Sequence, residues 1–223
     1  FKGVRSYPVG YVHELRMFPL DFEEFCWAIG VSEGARQTIR DACINEKPIP
    51  GYIHDAMMAN FRTYTVVGGM PEVVQRFLDT RGDLASVRQL QSELNEQYRR
   101  DISKYASGRA LQVQSIYDQL PIMLEGENKR FVLNSIDPKA HYDKYQRDFV
   151  WLVDAGVALK ADIVTEPKSP LLKTARPSQF KLYQSDTGML MARYSVGVAQ
   201  AAYLDSKEPN LGGIYENVVA QQL

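Results

Sequence analysis

Apolar residues in the first half of the chain recur every three or four positions, the spacing of a helix that buries one face. The longest run predicts a helix from about Asp83 to Tyr105, with its stripe at Leu84, Val87, Leu90, Leu94, Tyr98, Ile102 and Tyr105. A shorter run precedes it at Ile53, Met57, Phe61 and Tyr64. Upstream, Asp21 and Glu24 have the spacing of a capping box, which predicts a helix start. Residues 9–18 alternate instead and predict a strand that Pro19 ends.

The stretch VVGGMPEVV, residues 66–74, places two glycines and a proline between two apolar runs. Gly68 or Gly69 suits a left-handed residue just past a helix end, and Pro71 suits the first turn of the next helix. A phosphate loop would need GxxxxGKS or GxxxxGKT, and no Gly-Lys pair occurs in the chain. Glu72 would also repel a phosphate. We therefore interpret the glycine pair as a helix end rather than as a nucleotide site.

The organisation changes after Gly108. Apolar stripes predict two helices, at Val113 to Leu124 and at Tyr142 to Val153. Alternation then predicts two strands, at residues 157–163 and 179–184, with a loop at 165–178 between them. Pro121 is expected to kink or shorten the first helix, and Asp186 to cap a further one. Helix, helix, strand, loop, strand is the order of a winged-helix domain, whose second helix is the one that enters a DNA major groove. We therefore expect a mainly α fold: a helical lid-like bundle followed by a winged-helix-like domain with a small β-hairpin.

The overall charge favours no particular class of partner. Apolar residues make up 45% of the 223 residues, and the 26 basic side chains nearly cancel the 27 acidic ones. Contact with nucleic acid or anionic lipid must therefore come from a local patch. No apolar run approaches the roughly 18 residues of a membrane span, so we expect no membrane partner. Cys26 and Cys43 lack a CxxC spacing, which predicts neither a disulfide framework nor a zinc site, and we expect a cytoplasmic protein.

The sequence lacks the motifs that bring catalytic groups together. HExxH, GxSxG and paired acids at metal-ligand spacing are missing, so we expect no enzyme, no cofactor and no metal in this chain. The thirteen tyrosines fall mostly on the apolar stripes, which favours a role in the core.

The winged-helix-like part carries a small excess of basic residues. Residues 127–183 contain ten basic and seven acidic side chains. The second helix places Asp143 and Asp148 beside its cations, which disfavours generic phosphate binding, whereas the loop cations are better placed. The candidate DNA-backbone contacts are Lys144, Arg147, Lys168, Lys173 and Arg176. The alternative is a surface for packing or protein interaction, because fold alone does not decide function.

A second basic cluster lies near the end of the longest predicted helix, in YRRDISKY. Arg99, Arg100 and Lys104 could dock an acidic partner or a bound nucleotide. Glu96 has the spacing to pair with Arg100. The alternative is an ordinary solvated face, since cations near a helix C-terminus are favoured by the helix dipole alone.

Eight segments follow one another along the chain: SYPVGYVHELRMFPLDFEEF, VVGGMPEVVQRFLD, YRRDISKYA, IYDQLPIML, ENKRFVL, WLVDAGVAL, FKLYQSDTGML and GGIYENVVAQQL. Together they resemble the region after the nucleotide-binding core of predicted prokaryotic AAA+ ATPases, the domain of unknown function 4143. The resemblance implies four parts: the last strand of the ATPase core at 1–19, a helical lid at 20–108, a winged-helix-like domain at 109–205, and the first helix of a truncated restriction-endonuclease-like domain at 206–223.

The same resemblance implies ATP and Mg for a full-length parent, whose missing P-loop core would be this chain's partner, and Glu216 as the acid of the nuclease-like helix. Walker motifs are absent here, as is the strand that should carry the other nuclease residues. What remains is a non-catalytic lid and winged helix that couples nucleotide state to a protein partner or duplex DNA. The alternative is a stand-alone winged-helix DNA-binding or protein-interaction regulator.

Overall fold

The computed structural model describes residues 13, 15–106, 108–127, 130–206 and 210–223. Over these residues the fold is mainly helical with one pair of antiparallel strands, as expected. The helices are α1 Phe22–Ala28, α2 Glu33–Ile44, α3 Gly51–Val67, α4 Pro71–Asp79, α5 Leu84–Tyr105, α6 Ala110–Glu125, α7 Tyr142–Asp154, α8 Thr187–Met191, α9 Val196–Leu204 and α10 Gly212–Gln222. The strands are β1 Ala158–Val164 and β2 Ala175–Gln184, and 3₁₀ turns lie at Leu133–Ser135 and Leu171–Lys173.

Side-chain caps mark where several helices begin. The Asp21 carboxylate accepts the Glu24 N–H at 2.7 Å, and the Glu24 carboxylate accepts the Asp21 N–H at 3.0 Å, so the predicted capping box is confirmed. Asp83 accepts the Ala85 N–H at 3.0 Å and starts α5 at the predicted place. Each cap satisfies an N–H group that a helix leaves without an internal partner.

The glycine pair forms a tight corner between α3 and α4. Gly68 has a φ of +77°, and its N–H donates to the Tyr64 carbonyl at 2.7 Å. Pro71 is the first residue of α4, as predicted. A Cβ atom on Gly68 would lie 2.6 Å from the Gly188 nitrogen, so this backbone packs directly against the start of α8. The pair is a helix end, and close packing adds a second reason for glycine.

The second half folds around one aromatic cluster. The rings of Phe131, Phe149 and Phe180 pack with centroid distances between 4.8 and 6.0 Å. Phe131 donates its N–H to the Phe180 carbonyl at 3.1 Å, which places the segment before the 3₁₀ turn beside β2. β1 pairs with β2 from Ala158 opposite Gln184 onward, with a register shift between Asp162 and Ile163. The predicted hairpin is confirmed.

The predicted N-terminal strand needs correction over the part that the structure describes. Of its residues 9–18, residues 9–12 and 14 lie outside the described residues, and 13 and 15–18 form no strand. Alternation alone does not make a strand where no partner supplies hydrogen bonds, and none of the described residues forms a ladder with this segment. Pro121 was expected to kink or shorten α6, and the helix continues to Glu125, so it is not shortened. Burial of Leu120 and Leu124 on both sides of the proline offsets the one lost helical hydrogen bond.

Helices α8 and α10 join the N-terminal helices α1 to α5 to the part of the chain that begins with α6. Met189 of α8 and Val218 of α10 pack into the core formed by α1, α3, α4 and α5. Leu190 and Ile214, from the same two helices, pack with Leu124 of α6 in a further cluster. The chain's last helix is therefore part of the main packing.

Candidate functional site

Helix α7 turns one carboxylate inward, which changes the charge of its outer face. Asp148 is 2% exposed and receives two hydrogen bonds from the Arg109 guanidinium, at 2.6 and 2.5 Å. Arg109 also donates to the Lys144 carbonyl at 2.7 Å, and its hydrogen bond to the Asp148 carboxylate raises the pKa of Arg109. The sequence-based interpretation of Asp148 as an exposed acid was therefore wrong. Asp148 shares the apolar stripe of Tyr145, and Arg109 neutralises it there.

The outer face of α7 keeps its two cations. Lys144, Gln146 and Arg147 are exposed, with Asp143 as the neighbouring acid in the first turn. Lys144 lies 3.8 Å from Asp137, with more than half of its side chain exposed. Exposed ion pairs contribute little, so this pair leaves the lysine available to a phosphate.

The β1–β2 hairpin presents the other three candidate cations, two on its loop and one at the start of β2. Lys173 and Arg176 are exposed, and Lys168 reaches Glu166 at 2.9 Å with most of its side chain in solvent. The loop backbone is held by its own hydrogen bonds. The Thr165 N–H donates to the Thr174 carbonyl at 3.1 Å, so the hairpin continues past the end of β1. The loop therefore carries Lys168 and Lys173, whereas Arg176, which was predicted in the loop, is the second residue of β2 and pairs with Ile163 of β1.

The basic cluster of α5 is arranged differently. Arg99 donates to Asp118 of α6 at 2.7 Å and lies 3.9 Å from Glu96, so Glu96 pairs with Arg99 three positions on rather than with Arg100 four positions on. Arg100 is exposed. Lys104 is exposed and has an interaction of its own. Because Arg99 links α5 to α6, part of this cluster serves packing between helices.

Glu216 connects α10 to the hairpin. Its carboxylate accepts from the Lys181 ammonium at 2.6 Å and from the Tyr183 hydroxyl at 2.6 Å. Burial and this hydrogen bond raise the pKa of Tyr183. Glu216, which the resemblance made the acid of a nuclease-like helix, thus has two structural partners in β2.

Sequence reasoning missed a buried polar junction around Asp186. The cap was predicted, and Asp186 does accept the Met189 N–H at 2.8 Å. Its second oxygen also accepts the Gly69 N–H at 2.6 Å and lies 3.4 Å from the Gln221 amide of α10. Burial raises the pKa of Asp186, and these donors oppose that shift. The junction holds the glycine corner, α8 and α10 together. Asp186 is 117 residues away from Gly69 along the chain, so no local pattern could have found their contact.

The chain belongs to the family described as Domain of unknown function (DUF8612), whose model matches residues 58–200. That range includes α7, the hairpin and its loop, and it covers more than half of the chain. Comparison with curated proteins and with solved structures found no significant match.

This match corrects the resemblance drawn from the eight segments. The family model assigns neither the domain of unknown function 4143 nor any AAA+ ATPase family. The expectation of ATP, Mg and a missing ATPase core rested on that resemblance and loses its support.

Two further findings concern the described residues. No group of three or more His, Cys, Asp or Glu side chains among them is placed to hold a metal ion. None of their helices combines the length and the apolar character that crossing a bilayer requires.

Proposed function

We propose that the chain is a non-catalytic, winged-helix-like module that contacts duplex DNA through α7 and the β1–β2 loop. The order of elements supports this: α6, the Phe131 segment beside β2, a 3₁₀ turn, α7, β1, the loop and β2. In winged-helix domains the second helix and the loop after it face the nucleic acid.

The observation that carries the proposal is the withdrawal of Asp148 from the surface. It leaves the exposed cations of α7 with Asp143 and Asp137 as their neighbouring acids, and the hairpin adds Lys168, Lys173 and Arg176 against Glu166. Phosphate contacts by Lys and Arg supply most non-specific affinity for DNA, so a local excess of this kind suffices even though the whole chain is nearly neutral.

Salt dependence of binding to a labelled mixed-sequence duplex tests the proposal. If Lys144, Arg147, Lys168, Lys173 and Arg176 all contact phosphates, the logarithm of the affinity falls with the logarithm of salt at a slope of about −4.5. Fluorescence anisotropy between 50 and 200 mM KCl should then show a loss of several hundredfold.

A pair of charge reversals tests whether DNA binding depends on this surface or only on the net charge of the chain. Lys173→Glu with Arg176→Glu should reduce the salt slope by about 2 and weaken binding more than tenfold. The matched control, Lys47→Glu with Arg76→Glu, changes the net charge equally at exposed positions in the connection before α3 and on α4. An equal loss of DNA affinity for both pairs, or an affinity that does not change with salt concentration, would refute a specific role for this surface.

A second candidate is a protein-interaction module. Its supporting observation is an apolar groove of about 760 Å³ beside β1, whose walls include the exposed Met17 and Phe18 and the end of α10 at Leu223. Contiguous exposed apolar surface is a mark of protein-interaction sites. For self-association, sedimentation velocity should show a concentration-dependent coefficient that Met17→Ser with Phe18→Ser abolishes.

A further inference from the structure

Two exposed leucines lie at the tip of the β1–β2 loop. Leu171 is 53% exposed and Leu172 is 83% exposed, and both belong to the 3₁₀ turn Leu171–Lys173. Adjacent aliphatic side chains in solvent lose the favourable transfer energy that burial would give them.

The turn holds the two leucines in place through hydrogen bonds within the loop. The Lys173 N–H donates to the Pro170 carbonyl at 3.0 Å, and the Thr174 N–H donates to the Leu171 carbonyl at 3.1 Å. The Thr174 hydroxyl donates to the Glu166 carbonyl at 2.8 Å across the base of the loop. The loop therefore presents these side chains on a shaped backbone and does not fold them back onto the core.

The surroundings of the tip are basic. Lys168 precedes the leucines, Lys173 and Arg176 follow them, and Glu166 is the single acid of the loop. An apolar tip between cations matches a target that is apolar at its centre and anionic at both sides. A base step between two phosphate strands has this character, whereas an apolar protein pocket offers no reason for the flanking cations.

We propose that Leu172, supported by Leu171, inserts between base pairs from the minor groove and bends the duplex, while the flanking cations bind phosphates. This proposal rests on the proposed DNA binding. Proteins that use such apolar wedges unstack a base step and bend DNA by about 20–90°.

End-to-end energy transfer on a 25-base-pair duplex with one dye at each end measures the bend. The wild-type chain should increase transfer on binding. Leu172→Ser should bind about tenfold more weakly, the loss of one buried leucine contact, and should not increase transfer. Its salt slope should stay that of the wild type, because no charge changes. Leu204→Ser is the control, at a position 69% exposed in α9, and should behave as the wild type.

The outcomes separate the wedge from DNA binding itself. Salt-dependent binding without increased transfer, or a Leu172→Ser chain that bends DNA as the wild type does, would overturn the wedge and leave the proposed function standing. Absence of duplex binding by the wild type would overturn both. A Leu172→Ser chain that keeps full affinity and bending but loses self-association in sedimentation would assign the tip to protein contact instead. Circular dichroism of each variant establishes that it is folded.

Discussion

Replacing Asp186 by alanine tests whether the buried junction holds the fold together. The substitution removes the cap of α8, which costs about 1 kcal/mol, and leaves the buried Gly69 N–H without its acceptor, which costs about 1–3 kcal/mol more. We expect the free energy of unfolding to fall by about 3 kcal/mol. Urea titration followed by the fluorescence of the two tryptophans measures it.

Asp21→Ala is the matched control, because Asp21 is also a helix cap but lies at a partly buried site and, among the described residues, accepts from no distant N–H group. Its loss should be about 1 kcal/mol. If Asp186→Ala costs no more than Asp21→Ala at an unchanged denaturant slope, the contact with Gly69 adds nothing and the reasoning is refuted.

The same variant has a predicted pH dependence. Burial raises the pKa of Asp186 above its ordinary value of 3.8, so the folded chain holds this proton to higher pH than the unfolded chain does. The stabilisation by Asp186 is then fully present below about pH 3.8 and declines as pH rises through the folded-state pKa. The difference between wild type and Asp186→Ala should therefore be larger at pH 4 than at pH 8. An equal or larger difference at pH 8 would contradict the assigned direction.

The remaining predictions concern the thiols and the inward carboxylate. Burial raises the pKa of Cys26 to about 11, whereas Cys43 is exposed. A thiol reagent at pH 8 should therefore modify Cys43 quickly and Cys26 only on unfolding. Fast modification of both thiols would contradict the burial of Cys26. Asp148→Ala should lower the free energy of unfolding by about 2 kcal/mol, because Arg109 loses its partner but stays partly solvated. A loss below 0.5 kcal/mol in urea titration would show that the pair is a dispensable surface contact.

Part of the candidate site was visible in the sequence. The alternation of residues 157–163 and 179–184 predicted the hairpin and the position of Lys168 and Lys173 on its loop, whereas Arg176, predicted in the loop, lies in β2. Asp148 could have been placed correctly too, because it is three positions after Tyr145 and four before Leu152 on the buried stripe. Its neutralising partner could not, because Arg109 lies 39 residues earlier and no periodicity connects the two.

Local sequence patterns specify where many elements begin and end. Asp21 with Glu24, Gly68 with Pro71, and the stripe of α5 act over a few residues, so local hydrogen bonds and helical spacing encode them directly. Which charged side chains stay exposed, and which contacts join the two halves of the chain, depends on tertiary packing. The contacts of Gly69 with Asp186 and of Lys181 with Glu216 depend on how distant segments pack, and many sequences with the same local patterns would pack differently.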